Sequence, residues 1–237
     1  MTACRSSAPC GAPGRALPEP HRAAVYYAPE VDDPLWAAGC AWLGRDPESG
    51  ATLPQPGAPD IAPLTADPRR YGFHATLKAP MALRHGLDAF VHDVMTLAAG
   101  TTSFALAPLA VTDLHGFLAL CTAAPCPAMD ALAADCVMLL DRHREPEDDA
   151  AQARRAADRT PRQVGNVALW GYPLVMEDFL FHMTLTAAAL PNPLLAAAQT
   201  HFAGVLAPRR VSSLAVFVED APGAPFRLSH RLPLAIG

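Results

Sequence analysis

One short pattern occurs twice in the chain, and the interpretation of the whole sequence starts from it. The first copy is Phe73-His74-Ala75-Thr76-Leu77 and the second is Phe181-His182-Met183-Thr184-Leu185. The two histidines lie 108 positions apart, close to half of the 237-residue chain. A single copy of such a pattern is usually accidental, but two matching copies at this spacing favour a functional pair.

Both copies read as β-strands, in which side chains alternate between two faces. The apolar residues of each copy are therefore expected to point into a core. The polar residues are expected on the opposite faces, as two sets: His74, Thr76 and Lys78, and His182, Thr184 and Thr186.

Each copy thus presents an imidazole and a hydroxyl two residues apart. Phosphoryl transfer at a diester needs a base on the attacking oxygen and an acid on the leaving oxygen, roughly in line. Histidine suits both roles because its pKa lies near the operating pH. Two such strands facing across a groove predict His74 and His182 as the catalytic pair, with Thr76 and Thr184 donating to the phosphate.

Lys78 is the only lysine among the 18 Lys and Arg residues of the chain. A single lysine retained among arginines suggests a site where a compact ammonium is needed, although chance survival explains it equally well. We expect Lys78 on the His74 face, where it would bind the phosphate.

The rest of the chain predicts a mixed α+β organisation. Strands are predicted at 23–27, 73–78, 104–114, 117–122, 179–187, 211–219 and 226–232, and helices at about 33–44, 87–99, 127–140, 160–171 and 192–202. Residues 45–70 hold six prolines and are predicted to be a long loop, of the kind that often closes over a ligand. Residues 141–159 are read as a solvated, partly helical connector.

Composition excludes several classes of protein. The formal net charge of −5 argues against an extended nucleic-acid-binding face, which needs a basic surface. No apolar run is long enough for a membrane span, and the first twenty residues lack the apolar segment of a secretory signal. We expect a cytoplasmic, monomeric protein whose six cysteines are reduced, with residues 1–20 disordered and residues 21–237 forming one domain.

The paired motifs resemble the two-histidine phosphoesterase superfamily, which includes RNA ligase-like and cyclic nucleotide phosphodiesterases. A longer resemblance links the chain to the branch associated with phosphonate metabolism. It runs from about residue 22 to 234 and rests on three stretches: Asp67-Pro68-Arg69-Arg70-Tyr71-Gly72-Phe73-His74-Ala75-Thr76-Leu77-Lys78-Ala79-Pro80, Trp170-Gly171-Tyr172-Pro173, and Phe181 to Thr186.

The resemblance implies a bilobed α+β fold of two pseudo-twofold-related antiparallel sheets with flanking helices and a central cleft. It implies a cyclic phosphodiesterase that needs neither metal nor cofactor and opens a small cyclic sugar phosphate in phosphonate catabolism. The branch pattern adds Lys78, Arg70 and Tyr71 as substrate-binding residues. Tyr26, Tyr172 and Phe117 are candidate stacking surfaces in the cleft, although core positions are the stronger expectation for them.

Two other functions fit the same residues. One is a phosphodiesterase or ligase-like enzyme acting on 2′,3′-cyclic nucleotides or RNA ends. The other is a module that binds a phosphorylated ligand without turnover, which the presence of both histidines and both threonines disfavours. The sequence does not tell which histidine is the base and which the acid.

Overall fold

The structure is a computed structural model that describes residues 19–57, 60–187 and 192–237. Most of the sequence predicted to be disordered, residues 1–20, lies outside the described residues. The strands are β1 (Arg22–Tyr27), β2 (Ala75–Met81), β3 (Phe104–Leu106), β4 (Leu109–Asp113), β5 (Leu118–Thr122), β6 (His182–Thr184), β7 (Arg209–Val211), β8 (Ser213–Glu219) and β9 (Arg227–Pro233). The helices are α1 (Pro34–Leu43), α2 (Ala66–Tyr71), α3 (Gly86–Gly100), α4 (Pro127–Leu140), α5 (Asp149–Ala156), α6 (Pro161–Trp170) and α7 (Asn192–Phe202).

The predicted α+β class is confirmed, with antiparallel pairing throughout two sheets. Among the described residues, the larger sheet has seven strands in the order β4-β5-β6-β2-β1-β8-β9, and the smaller pairs β3 with β7. The motif strands β2 and β6 are neighbours inside the larger sheet. The strand order is symmetric about the contact between them, since β6 is followed outward by β5 and β4, and β2 by β1 and β8. The related halves therefore join edge to edge into one sheet.

Strand β2 carries extra residues relative to its partner β1. Tyr26 pairs with Thr76, but the preceding residue of β1, Val25, pairs with Lys78. One residue of β2, Leu77, is thus additional, as in a β-bulge. Because side chains alternate along a strand, the bulge places the next residue, Lys78, on the face opposite to the one that simple alternation predicts. A second irregularity follows further along, between the pairs Val25–Lys78 and Ala23–Met81.

Local signals set the helix ends. The Asp33 carboxylate accepts a hydrogen bond from the backbone of α1, and Gly44 ends that helix at φ 79°, a conformation that favours glycine. Helix α6 begins with a capping box between Thr160 and Gln163 and also ends at a left-handed glycine. These boundaries agree with the sequence-based expectations.

Four predicted elements differ from the structure. The region read as a loop between residues 45 and 70 contains α2, which directly precedes the first motif and contributes to the site. Strand β2 continues through Pro80, strand β6 spans three residues instead of nine, and the strand predicted at 104–114 is divided into β3 and β4, which belong to different sheets.

The main core fills the space between the larger sheet and the helices. Strand β8 is buried along its whole length, and the motif residues Phe73, Phe181 and Met183 are buried as their apolar character predicts. Within the described part of the chain, none of the helices has both the length and the apolar character needed to cross a membrane.

Candidate active site

Strands β2 and β6 bring the two motifs side by side. Ala75 pairs with Met183 in antiparallel register. Extending that register by one residue in each direction sets the histidine of each copy opposite the threonine of the other. The four polar side chains then project from the face opposite to these two apolar residues: His74, Thr76, His182 and Thr184.

These side chains line one cavity of about 240 Å³, which we call the histidine pocket. The predicted alternation thus places all four motif residues together. The remaining lining comes from β1, β2, α2, α5 and the residues that follow α2 and α6: Arg22, Tyr26, Asp67, Pro68, Tyr71, Gly72, Ala79, Pro80, Arg155 and Tyr172.

The backbone holds both imidazoles in the same way. Nδ1 of His74 lies 2.9 Å from the carbonyl oxygen of Gly72, and Nδ1 of His182 lies 2.8 Å from that of Leu180. A carbonyl oxygen only accepts hydrogen bonds, so each Nδ1 carries a proton. In the neutral ring the lone pair then lies on Nε2, the nitrogen that can accept or donate a proton in the pocket.

The surroundings of the two histidines are not equivalent. His74 stacks on Tyr26 with ring centroids 3.7 Å apart, and its Nε2 lies 3.2 Å from the Thr76 hydroxyl. His182 lies edge-on to Phe117, with centroids 6.1 Å apart. Tyr26 and Phe117 therefore lie beside the imidazoles, and Tyr172 lines the pocket, so these three aromatics contribute to the site as well as to packing.

Burial lowers the pKa of His74 from 6.5 to about 4. The hydrogen bond to the Gly72 carbonyl opposes this shift, and the nearby His182 adds to it because two positive charges repel. His74 is consequently neutral at physiological pH, the state that a general base requires.

Three tyrosines line the histidine pocket: Tyr26, Tyr71 and Tyr172. The Tyr26 hydroxyl is buried and has no hydrogen-bond partner among the described residues. Burial raises the pKa values of Tyr26 and Tyr172, which keeps their phenols protonated. The walls of the pocket thus hold phenol groups that are able to donate hydrogen bonds to an oxyanion.

Lys78 does not lie on the His74 face, and the expectation that it does is wrong. The bulge at Leu77 turns Lys78 to the opposite side of the sheet, where only 3% of its side chain is exposed. Its Nζ lies 2.7 Å from the Asp141 carboxylate and 3.3 Å from the Val137 carbonyl oxygen at the end of α4. Burial lowers the pKa of Lys78, an effect that the Asp141 partner opposes.

The other two residues that the branch pattern adds, Tyr71 and Arg70, differ in whether they line the histidine pocket. Tyr71 lines the histidine pocket as expected. Arg70 does not line it, because its guanidinium is bound to the fully buried carboxylate of Glu219. The hydrogen bonds from Arg22 and Arg70 lower the pKa of Glu219 against the effect of desolvation.

The cations of the histidine pocket are arginines that the sequence analysis did not single out. Arg22 lies on β1 four residues before Tyr26, so alternation places the two on one face, a signal that the sequence did contain. Arg155 comes from α5, inside the charged connector, and the sequence offered no signal for it.

Asp67 is the one carboxylate in the lining of the histidine pocket. Together with the two imidazoles it brings metal-binding side chains to the site. Nevertheless, across residues 19–57, 60–187 and 192–237, no three His, Cys, Asp or Glu side chains are close enough together to hold one metal ion.

Comparison with known proteins assigns the chain to a family. Residues 76–227 match the family described as "Protein of unknown function (DUF1045)", and the chain belongs to it. It is also 39% identical over 232 residues to a ribose 1,5-bisphosphate phosphokinase PhnN of Janthinobacterium sp. (strain Marseille), covering 90% of this chain and 51% of that protein. The PhnN phosphokinase of Laribacter hongkongensis (strain HLHK9) is 38% identical over 215 residues, covering 87% of this chain and 50% of that protein.

The chain therefore spans about half the length of the curated relatives it matches. Among solved structures, it is similar to E. coli LigT in complex with 3′-AMP, with a TM-score of 0.47 and 15% identity, covering 92% of this chain and 99% of that one.

Proposed function

We propose that this protein is a cyclic phosphodiesterase that opens a small cyclic sugar phosphate by histidine general acid–base catalysis without a metal ion. The observation that carries the proposal is the equivalent presentation of His74 and His182. Each ring donates Nδ1–H to a backbone carbonyl two residues earlier, and each lies in the same pocket.

The reaction needs one proton transfer on each side of the phosphorus. His74 is neutral because its pKa is about 4, so its Nε2 accepts a proton from the attacking water. The water oxygen bonds to phosphorus, the P–O bond of the ring breaks, and His182 delivers a proton to the departing sugar oxygen. The products are a phosphomonoester and a free hydroxyl group.

The negative charge on the non-bridging oxygens of the phosphate is stabilised by hydrogen-bond donors whose positions are fixed before the reaction. Thr76 and Thr184 lie beside the histidines, and the phenols of Tyr26, Tyr71 and Tyr172 line the same pocket. Donors fixed in this way need no rearrangement during the reaction, which makes them more effective than water.

The names of the curated relatives support a sugar phosphate as substrate. They act, by name, on ribose 1,5-bisphosphate, a ribose with a phosphate on C1. Opening a 1,2-cyclic phosphate on ribose, with cleavage of the bond between phosphorus and O2, leaves a phosphate of that kind. This link is consistent with a role in phosphonate catabolism, which the resemblance of the sequence implies.

The test is turnover of a panel of cyclic phosphates, with product identified by ³¹P NMR. We expect the highest kcat/KM on a ribose 1,2-cyclic phosphate, and no turnover when both histidines are replaced by alanine. Preference for 2′,3′-cyclic nucleotides or for RNA ends would favour the nucleotide-directed alternative. Tight binding of every compound without turnover would contradict the proposed function and favour a module that binds a phosphorylated ligand.

A further inference from the structure

A second cavity of about 340 Å³ adjoins the histidine pocket. Arg22, Arg155 and Tyr172 line both spaces, together with Ala79 and Pro80. The two cavities therefore adjoin at a junction formed by two cations, a phenol and an apolar edge. A ligand held at the histidines can extend across this junction.

Both arginines at the junction keep hydrogen-bond donors that no described residue uses. Arg22 donates from Nε to Glu219 and makes no described hydrogen bond from its two terminal nitrogens. Arg155 donates from Nε and Nη2 to Glu147, which leaves Nη1 without a described acceptor. Their side chains are 23% and 28% exposed, so the free N–H groups remain accessible.

The carboxylates near the junction line one of the two cavities and not the other. Glu145, Glu147 and Asp148 line the second cavity and do not line the histidine pocket. Glu147 is already held by Arg155 at 2.6 Å. Lys78 and Arg144 also line the second cavity, and both are paired with Asp141. The free guanidinium N–H groups at the junction therefore remain the donors that are open to an anion.

We propose that the junction binds a second phosphate of the substrate, one that is not attacked, through the free guanidinium N–H groups of Arg22 and Arg155. The substrate class is then a cyclic phosphodiester of a sugar that also carries a phosphomonoester on the same sugar. This inference rests on the proposed function and specifies its substrate. Paired guanidinium groups suit phosphate oxygens because their planar N–H donors match the spacing of those oxygens.

The primary variant is Arg155→Gln, since Glu147, the partner that it leaves, is 31% exposed and can be hydrated. Arg154→Gln is the matched control, because Arg154 is an exposed neighbour on the same helix that lines neither cavity. Arg22→Lys is a second variant, which retains a charge for the buried Glu219 and removes the planar donors.

The kinetic measurement compares ribose 5-phosphate 1,2-cyclic phosphate with ribose 1,2-cyclic phosphate. We expect the wild type to favour the first compound by at least tenfold in kcat/KM. Arg155→Gln should reduce that preference at least tenfold, mainly through KM, because the variant loses a charge-assisted hydrogen bond to the second phosphate. Arg154→Gln should retain the preference.

A binding measurement separates this inference from the proposed function. Calorimetry with the His74→Ala/His182→Ala variant should give tighter binding of ribose 1,5-bisphosphate than of ribose 1-phosphate, whether or not the wild type turns over any substrate. If the two compounds bind equally, or if Arg155→Gln and Arg154→Gln behave alike, the junction is not a phosphate site.

Discussion

The imidazole of His74 lies stacked on the phenol ring of Tyr26, with centroids 3.7 Å apart and the ring planes inclined by 22°. Tyr26 is cross-strand from Thr76, so the β1–β2 pairing itself sets this contact. The stack buries one histidine of the pair, and it makes the two members of a repeated motif chemically different.

Replacing Tyr26 tests the origin of that difference. Tyr26→Phe keeps the ring and removes a hydroxyl that has no described partner, so we expect the free energy of unfolding to remain within about 1 kcal/mol of the wild type. Tyr26→Ala opens the site to water, which should raise the pKa of His74 toward its usual 6.5. The measurements are chemical denaturation and an NMR titration of the His74 ring; a pKa of His74 that is indifferent to Tyr26→Ala would contradict this account.

The same low pKa makes the stability of the protein depend on pH. The unfolded chain binds a proton at His74 near pH 6.5, whereas the folded protein does so only near pH 4. The contribution of neutral His74 is therefore complete above about pH 6.5 and is lost as the pH falls toward 4. Chemical denaturation between pH 4 and 8 should show that the free energy of unfolding falls less toward acid pH in His74→Gln than in the wild type. An equal pH dependence of the free energy of unfolding in the two proteins would contradict a lowered pKa of His74.

Removing either imidazole should stop one proton transfer. We expect His74→Ala and His182→Ala each to lower kcat by ~10²–10⁴ on the confirmed substrate, and the double variant to lose little more, because the pair acts as a unit. Single-turnover kinetics with matched circular dichroism spectra make the comparison. Near-wild-type turnover in either single variant would exclude the acid–base pair.

Lys78 is expected to support the fold and not the chemistry. Lys78→Met breaks a buried ion pair with Asp141, which keeps Arg144 as a partner, so the free energy of unfolding should fall by about 1–3 kcal/mol. The KM of the folded variant should stay near that of the wild type. The control Arg84→Met breaks an exposed pair with Glu145 and should cost less than about 1 kcal/mol. A large rise in KM at unchanged stability would restore the phosphate-binding role that the branch pattern implies.

Chelation tests the proposed absence of a metal from the reaction. The histidine pocket supplies two imidazoles, hydroxyls and Asp67 alone as carboxylate. Because the threonine hydroxyls and tyrosine phenols of the pocket can donate hydrogen bonds to the phosphate, we expect turnover to survive treatment with a chelator followed by dialysis. Loss of activity that one divalent ion restores would make the two histidines ligands instead of proton carriers.

The sequence alone determined the features that depend on nearby residues. The repeated His-x-Thr pattern identified the site, because alternation along a strand is a local property of the backbone. Helix boundaries at Asp33 and Gly44 followed from capping chemistry, which also acts within a few residues.

Only the tertiary structure decided which cations line the histidine pocket. The bulge at Leu77 arises from pairing between β1 and β2, and the one-residue shift it introduces moves Lys78 to the far face. Arg155 comes to the histidine pocket from a helix more than seventy residues beyond the first motif, and no local pattern encodes such a contact. Charge at the site is thus set by long-range packing, whereas the imidazoles and hydroxyls are set by the periodicity of two short strands.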